Sequence, residues 1–123
     1  MLKRNSKFFI SDNTGALIGK CIDVYNKKKI GKLHDLILLS LWKRLPNRKI
    51  DYNEMYKGLI IKTKKSYVKK SGNILIYDKN ACILLKYKNK EWLPLGTRIY
   101  GCLENKIRKL NYGKVLLLTR GTF

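Results

Sequence analysis

The chain has 123 residues and carries 28 lysines and arginines against 8 aspartates and glutamates, a formal net charge of +20. That length suits one domain over residues 1–123 with a core of its own. The charge calls for anionic surroundings, of which nucleic acid and anionic membrane are the ordinary kinds. A membrane is the weaker of the two. No run approaches the roughly 20 apolar residues of a span. The longest, 36–41, is interrupted by Ser40 and stopped by Trp42-Lys43-Arg44, and no long apolar-and-basic helical face is present.

Residues 1–7 are short, basic and polar, without a signal-peptide apolar region or the length of a transit peptide. Either no import is needed or a presequence has been removed. Residues 8–10 start the first strand. The segment 11–16, Ser-Asp-Asn-Thr-Gly-Ala, reads as a turn, because Asx side chains bond their own backbone and Gly15 tolerates positive φ. A second strand is expected over 17–25, then a basic loop at 26–29. Residues 36–45 are apolar enough for a central strand; leucine also favours helix, but the surrounding strand pattern decides for strand. Residues 46–52 are polar and basic and suit the tip of an extended ribbon, and 55–64 return as a strand.

The centre of the chain is 57–85. Three apolar runs, 59–61, 74–77 and 83–85, are separated by a break at 62–73 holding five lysines and a turn-like break at 78–80. Short β-branched and aromatic runs bounded by Gly, Asn and Asp read as strands joined by turns. The three runs are expected to hold the barrel, and the lysine break between them to bind. Residues 86–91 read as a charged loop. Leu103, Ile107 and Leu110 recur at helical spacing, so 103–110 is expected to be a short helix that Gly113 breaks. Residues 115–118 form a last apolar element, helix or strand. Frequent short strands with a little C-terminal helix indicate a mainly β fold, a small antiparallel barrel whose closure removes exposed edges.

Catalytic chemistry finds little support. The eight acids are scattered singly, the serines have no neighbouring base, and neither usual glycine-rich phosphate loop occurs. Cys21, Cys82 and Cys102 are widely spaced and His34 is the sole histidine, so no zinc site has its usual spacing. No cofactor or metal is expected, and the thiols read as small buried or half-buried groups in a reducing compartment. Basic residues instead cluster at 27–29, at Lys62, Lys64 and Lys65, at Lys69 and Lys70, and at Lys106, Arg108 and Lys109. One such cluster is ordinarily a solvated face. Four with almost no acidic balance point to phosphate contacts. Tyr52, Tyr56, Tyr67, Tyr77, Tyr87 and Tyr100 are candidates to stack on unpaired bases, although several must belong to the core.

An ordered set of motifs completes the reading: Asp12-Asn13-Thr14-Gly15-Ala16, Cys21-Ile22, Gly58-Leu59-Ile60-Ile61, Lys62-Thr63-Lys64-Lys65, Ser71-Gly72, Asn80-Ala81-Cys82 and Gly96-Thr97-Arg98-Ile99-Tyr100-Gly101. From about Phe8 onward the chain resembles the family of the universal large-subunit ribosomal protein numbered fourteen, of the bacterial and organellar type. It departs from that pattern at His34, where glycine is usual, at Asn53-Glu54 for Gly-Asp, at Lys79 for glycine and at Ile83 for valine. A two-residue extension near 88–92 adds to the departures.

The resemblance implies a five-stranded β-barrel with a projecting β-ribbon and short C-terminal helices. It implies a structural constituent of the large ribosomal subunit that binds large-subunit ribosomal RNA near the subunit interface. Other implied partners are neighbouring large-subunit proteins, small-subunit RNA across an intersubunit bridge, and a ribosome-silencing factor on a face including Thr97, Arg98 and Lys114. Expected RNA contacts are Asn13, Lys62, Lys64, Lys65, Lys69, Lys70, Arg98 and Arg108. Abundant Lys, Ile, Asn and Tyr, residues with A/T-rich codons, together with the missing presequence, favour a divergent member encoded in a mitochondrion; a plastid or a bacterial cytoplasm is the alternative. A free RNA-binding barrel, chaperone or translation factor, is the competing function, and a small nuclease using His34 and Asp35 is a weaker one.

Overall fold

The computed structural model describes residues 2–46, 50, 54–104, 106–110 and 112–122. In chain order the elements are β1 (Lys7–Ile10), β2 (Ala16–Val24), β3 (Leu36–Arg44), β4 (Met55–Lys62), β5 (Tyr67–Val68), β6 (Ile74–Leu75), β7 (Ala81–Lys88), β8 (Glu91–Pro94), α1 (Lys106–Lys109) and α2 (Gly113–Leu116). Strands β1, β2, β3, β4 and β7 run antiparallel in that order. The circle closes where β1 meets β7 in parallel, Phe9 opposite Ala81 and Ile10 opposite Cys82. This is the five-stranded barrel the sequence led us to expect. Strand β8 adds to the outside of β7 as a hairpin partner.

Alternation along the strands fills the interior. Phe8 and Ile10 of β1, Cys21 and Val24 of β2, and Ile37, Leu39 and Leu41 of β3 are buried, with Ile60 from β4 and Cys82 and Leu84 from β7. The period-two burial of β3 is what makes 36–44 a strand despite its leucines. Gly58 and Gly19 are required inside by space. A Cβ on Gly58 would lie 2.7 Å from Leu39 Cδ2, and one on Gly19 3.0 Å from Leu39 Cδ1.

A second core lies outside the barrel. Leu59 and Ile61 of β4 and Ala81, Ile83 and Leu85 of β7 face out, yet they are buried beneath Ile99, Leu103, Ile107, Tyr112, Val115 and Leu116. The C-terminal segment therefore covers β4 and β7. That is why Leu59-Ile60-Ile61 and Ile83-Leu84-Leu85 are continuous apolar runs and not alternating ones: strands buried on both faces need no polar side.

Four expectations are corrected here. The run 74–77 is not barrel wall. Ile74 and Leu75 pair with Val68 and Tyr67 in a separate two-stranded ribbon, and Ile74 and Ile76 are 66% and 64% exposed. Leu59 and Ile60 pair instead with Ile83 and Cys82, so the large hairpin joins β4 to β7 and the lysine break is a small ribbon inserted between them. Residues 86–91 are not a loop. Strand β7 continues to Lys88 and turns through Asn89 and Lys90, both at positive φ (52° and 63°), directly into β8. Two consecutive left-handed residues form the tight turn whose twist suits a hairpin.

The helix expected over 103–110 is confined to Lys106–Lys109, because Leu103 bridges Thr122 as an extended residue. Gly113 does not end a helix but begins α2, which settles the last apolar element as helical. The expected ribbon tip at 46–52 falls mostly on residues outside those described, as does Asn53.

Candidate nucleic-acid interface

The turn after β1 organises one end of the barrel. Asp12 is buried, and its carboxylate accepts the Leu84 N–H (3.1 Å), the Thr14 N–H (3.2 Å) and the Thr14 hydroxyl (2.6 Å). Burial raises the Asp12 pKa, and those bonds pull it back in part. Next to it, the exposed Asn13 grips the loop after β8. Its Oδ1 accepts the N–H groups of Thr97 (2.8 Å) and Arg98 (3.1 Å), and its Nδ2 donates to Thr97 Oγ1 (2.7 Å). Gly96 admits this closure, since a Cβ there would stand 2.8 Å from Asn13 Oδ1. Asn13 therefore has a positioning task inside the chain: it fixes the backbone from which the exposed Arg98 extends.

Following Arg98, Ile99 bridges Asp12, and the Tyr100 N–H donates to Ser11 O at 2.8 Å. Lys62 arrives from the end of β4, where the ladder with β7 shifts register between Ile60 and Lys62. Strict alternation would return Lys62 to the face of Ile60, the barrel interior. The irregularity lets it leave at the rim, and its Nζ donates to Tyr100 O at 3.3 Å. Burial lowers the Lys62 pKa and the Lys79 ammonium adds to this, against the opposing effect of Asp78. Gly101, at φ +86°, has no Cβ where one would meet Lys62 Nζ at 2.6 Å.

Beyond Lys62 the chain turns outward. Lys64 and Lys65 are exposed, with the Lys64 N–H held by Asn80 Oδ1 at 2.9 Å. Lys65 lines an open groove with Lys32 and Lys106. Lys69 and Lys70 sit at the β5–β6 tip, where the Lys69 N–H donates to Asn73 O and Gly72 turns at φ +90°. Arg108 lies elsewhere, in a groove with Tyr87, Trp92, Leu117 and Lys114. There Lys114 pairs with Glu91 at 2.8 Å, both more than half exposed, a contact of small energy. Leu118, just past α2, accepts the Ile99 N–H, which joins the end of the Lys114 segment to the loop of Thr97 and Arg98.

The expected contact residues thus occupy three neighbourhoods. Lys62 and Arg98 sit with Asn13 at the rim, Lys64 to Lys70 lie along the ribbon, and Arg108 and Lys114 beside β8. Sequence reading missed Lys43 and Lys79, which line a groove with Lys62, Phe9, Leu17 and Tyr100. Strand register and the loop bond of Tyr100 to Ser11 gather these residues, so no local signal could have marked them. Of the tyrosines proposed to stack, Tyr87 and Tyr100 are exposed, whereas Tyr56 packs against the barrel core and Tyr77 is half-buried. Tyr52 and the Tyr67 side chain fall outside what is described.

His34 and Asp35 do not form a cleft pair. The Asp35 carboxylate accepts from the Lys32 N–H (2.8 Å) and Asn26 Nδ2 (2.9 Å). His34 is buried, with Nε2 3.6 Å from Glu104 Oε2, and its backbone is left-handed at φ 71°. Burial, reinforced by the Lys106 ammonium, lowers the imidazole pKa to about 4. Cys21 and Cys82 are buried within the barrel and Cys102 is exposed, which corrects the expectation of three sheltered thiols. Among the described residues no group of three or more His, Cys, Asp or Glu could hold a metal.

Compared with known protein families, residues 1–122 match the family model described as Ribosomal protein L14p/L23e.

Proposed function

The chain belongs to the ribosomal protein L14p/L23e family, structural and non-enzymatic proteins of the large ribosomal subunit, and on that premise we propose that it binds large-subunit ribosomal RNA near the subunit interface and contributes to an intersubunit bridge. The observation that carries the RNA reading is the net charge of +20 displayed on a barrel whose interior is apolar. Charge of this kind is repulsive in the free chain and is relieved by phosphate. The contacts are Lys62, Lys64, Lys65, Lys69, Lys70, Arg98 and Arg108, with Asn13 acting through the loop it closes.

The face of Thr97, Arg98 and Lys114 receives a ribosome-silencing factor in this reading, and the ribosome is mitochondrial, as the bias toward residues with A/T-rich codons favours. Sedimentation of a lysate at low and high salt tests the assignment. The chain is expected to travel with the large particle at low salt and to resist release until salt is high. Absence from the particle at low salt overturns it.

A further inference from the structure

We propose that the groove between Phe9 and Tyr100 is a binding site for an unpaired nucleotide of RNA, its base lying on the aromatic rings and its phosphates held by Lys43, Lys62 and Lys79. This rests on the RNA-binding reading above and adds a site to it. The groove has a volume of about 410 Å³, within the ~300–1,000 Å³ typical of small-ligand pockets.

Its floor follows from the pleat. Phe8 and Ile10 point into the barrel, so Phe9 points out and is 50% exposed. Register then continues the outward row, Phe9 opposite Ile18 and Ile18 opposite Lys43. Tyr100, 52% exposed, faces the groove from the loop tied to Ser11, and the exposed Leu17 lines it as well. Lysines surround these rings. Lys79 Nζ stands 5.3 Å from the Phe9 ring centroid, a cation over an aromatic face, and Lys62 is fixed by the Tyr100 carbonyl at 3.3 Å.

Two features select an unpaired nucleotide. Among the described residues none of the three lysines forms an ion pair with a carboxylate. Lys62 and Lys79 repel each other, which an anion between them relieves. A duplex would satisfy the cations alone, but its stacked bases could not use two half-exposed rings; splayed bases can. A protein partner would need contiguous apolar surface, which the lysines interrupt.

The test measures binding of the full chain to three probes: a labelled single-stranded oligouridine, an RNA duplex of equal length and inorganic polyphosphate. The Phe9→Leu/Tyr100→Leu double variant is expected to lose about tenfold or more for the single strand, the usual effect of losing base stacking, and less than about twofold for the other two. Those two near-native affinities also show that the aromatic double variant is folded. Lys62→Met/Lys79→Met weakens all three probes and lowers the salt slope for the single strand by about 0.7 for each phosphate it no longer neutralises. Unchanged single-strand affinity in the aromatic double variant, or an equal loss on duplex, overturns the site. So does a photocrosslinker at position 9 that captures protein and not RNA in assembled particles. If those results accompany normal travel with the large particle, only the groove fails; a chain that binds none of the probes and never joins the particle removes both readings.

Discussion

The Asn13 carboxamide holds Thr97 from both sides, accepting its N–H at 2.8 Å and donating to its hydroxyl at 2.7 Å across 84 positions of sequence. One side chain thus ties the turn after the first strand to the loop that carries Arg98. Asn13→Ala removes three bonds and leaves the N–H groups of Thr97 and Arg98 to find water. The expected cost is about 1–2 kcal/mol in denaturant unfolding, with faster amide exchange at Thr97 and Arg98. Native exchange rates at both amides in the variant would show the clamp to be incidental.

His34 gives a pH signature. Its folded pKa, about 4, lies below the ordinary 6.5. Holding the ring neutral therefore contributes stability that is complete above pH 6.5 and is lost as pH falls through 4. The slope is at most about 1.4 kcal/mol per pH unit. His34→Gly removes the titrating ring and suits the left-handed backbone at φ 71°. The difference in unfolding free energy between variant and native chain should shift in the variant's favour from pH 6.5 to pH 4. A constant difference over that range sinks the assignment.

Gly58 tests the packing of the barrel. A methyl there would lie 2.7 Å from Leu39 Cδ2 and 3.3 Å from Ile83 O. Gly58→Ala should destabilise by about 1–3 kcal/mol through overpacking. Gly72 provides the contrast: it lies in open space but at φ +90°, so Gly72→Ala costs only backbone strain of about 1–2 kcal/mol. A Gly58→Ala/Leu39→Val pair that recovers stability would confirm the clash as the cause.

Thiol labelling reads the barrel directly. Cys102 is exposed, whereas burial raises the pKa of Cys21 and, much further, of Cys82. Brief alkylation of the folded chain at neutral pH should add one group, at Cys102, and denaturant should expose all three. Rapid native labelling of Cys82 would contradict a closed barrel.

The ribbon lysines are tested by salt. Replacing Lys64, Lys65, Lys69 and Lys70 with alanine should weaken ribosomal RNA binding. On duplex regions it should also flatten the log–log salt dependence by about 0.9 for each phosphate left without its lysine. Thermal stability should change little, since Lys64, Lys65 and Lys70 are exposed. An unchanged slope would move the RNA interface to another face.

Much of this molecule is legible along the chain. Short apolar runs bounded by turn formers gave the wall strands, Asx and glycine gave the turn after β1, and the ordered motifs gave the family, because each depends on residues near one another. The misreadings have one cause. Ile74 and Ile76 are as apolar as the wall residues Ile60 and Ile83, and only the register of β4 on β7 leaves them outside. Leu103 keeps helical spacing with Ile107, yet it is held extended by a bridge to Thr122. Local chemistry by itself determined which segments could be strands and that the surface is strongly cationic. Tertiary structure decided which apolar run closes the barrel, that the C-terminal segment buries the outer face of β4 and β7, and that Phe9, Lys43, Lys62, Lys79 and Tyr100 share one groove. Those outcomes depend on pairing and closure between distant segments, which no stretch of sequence specifies alone.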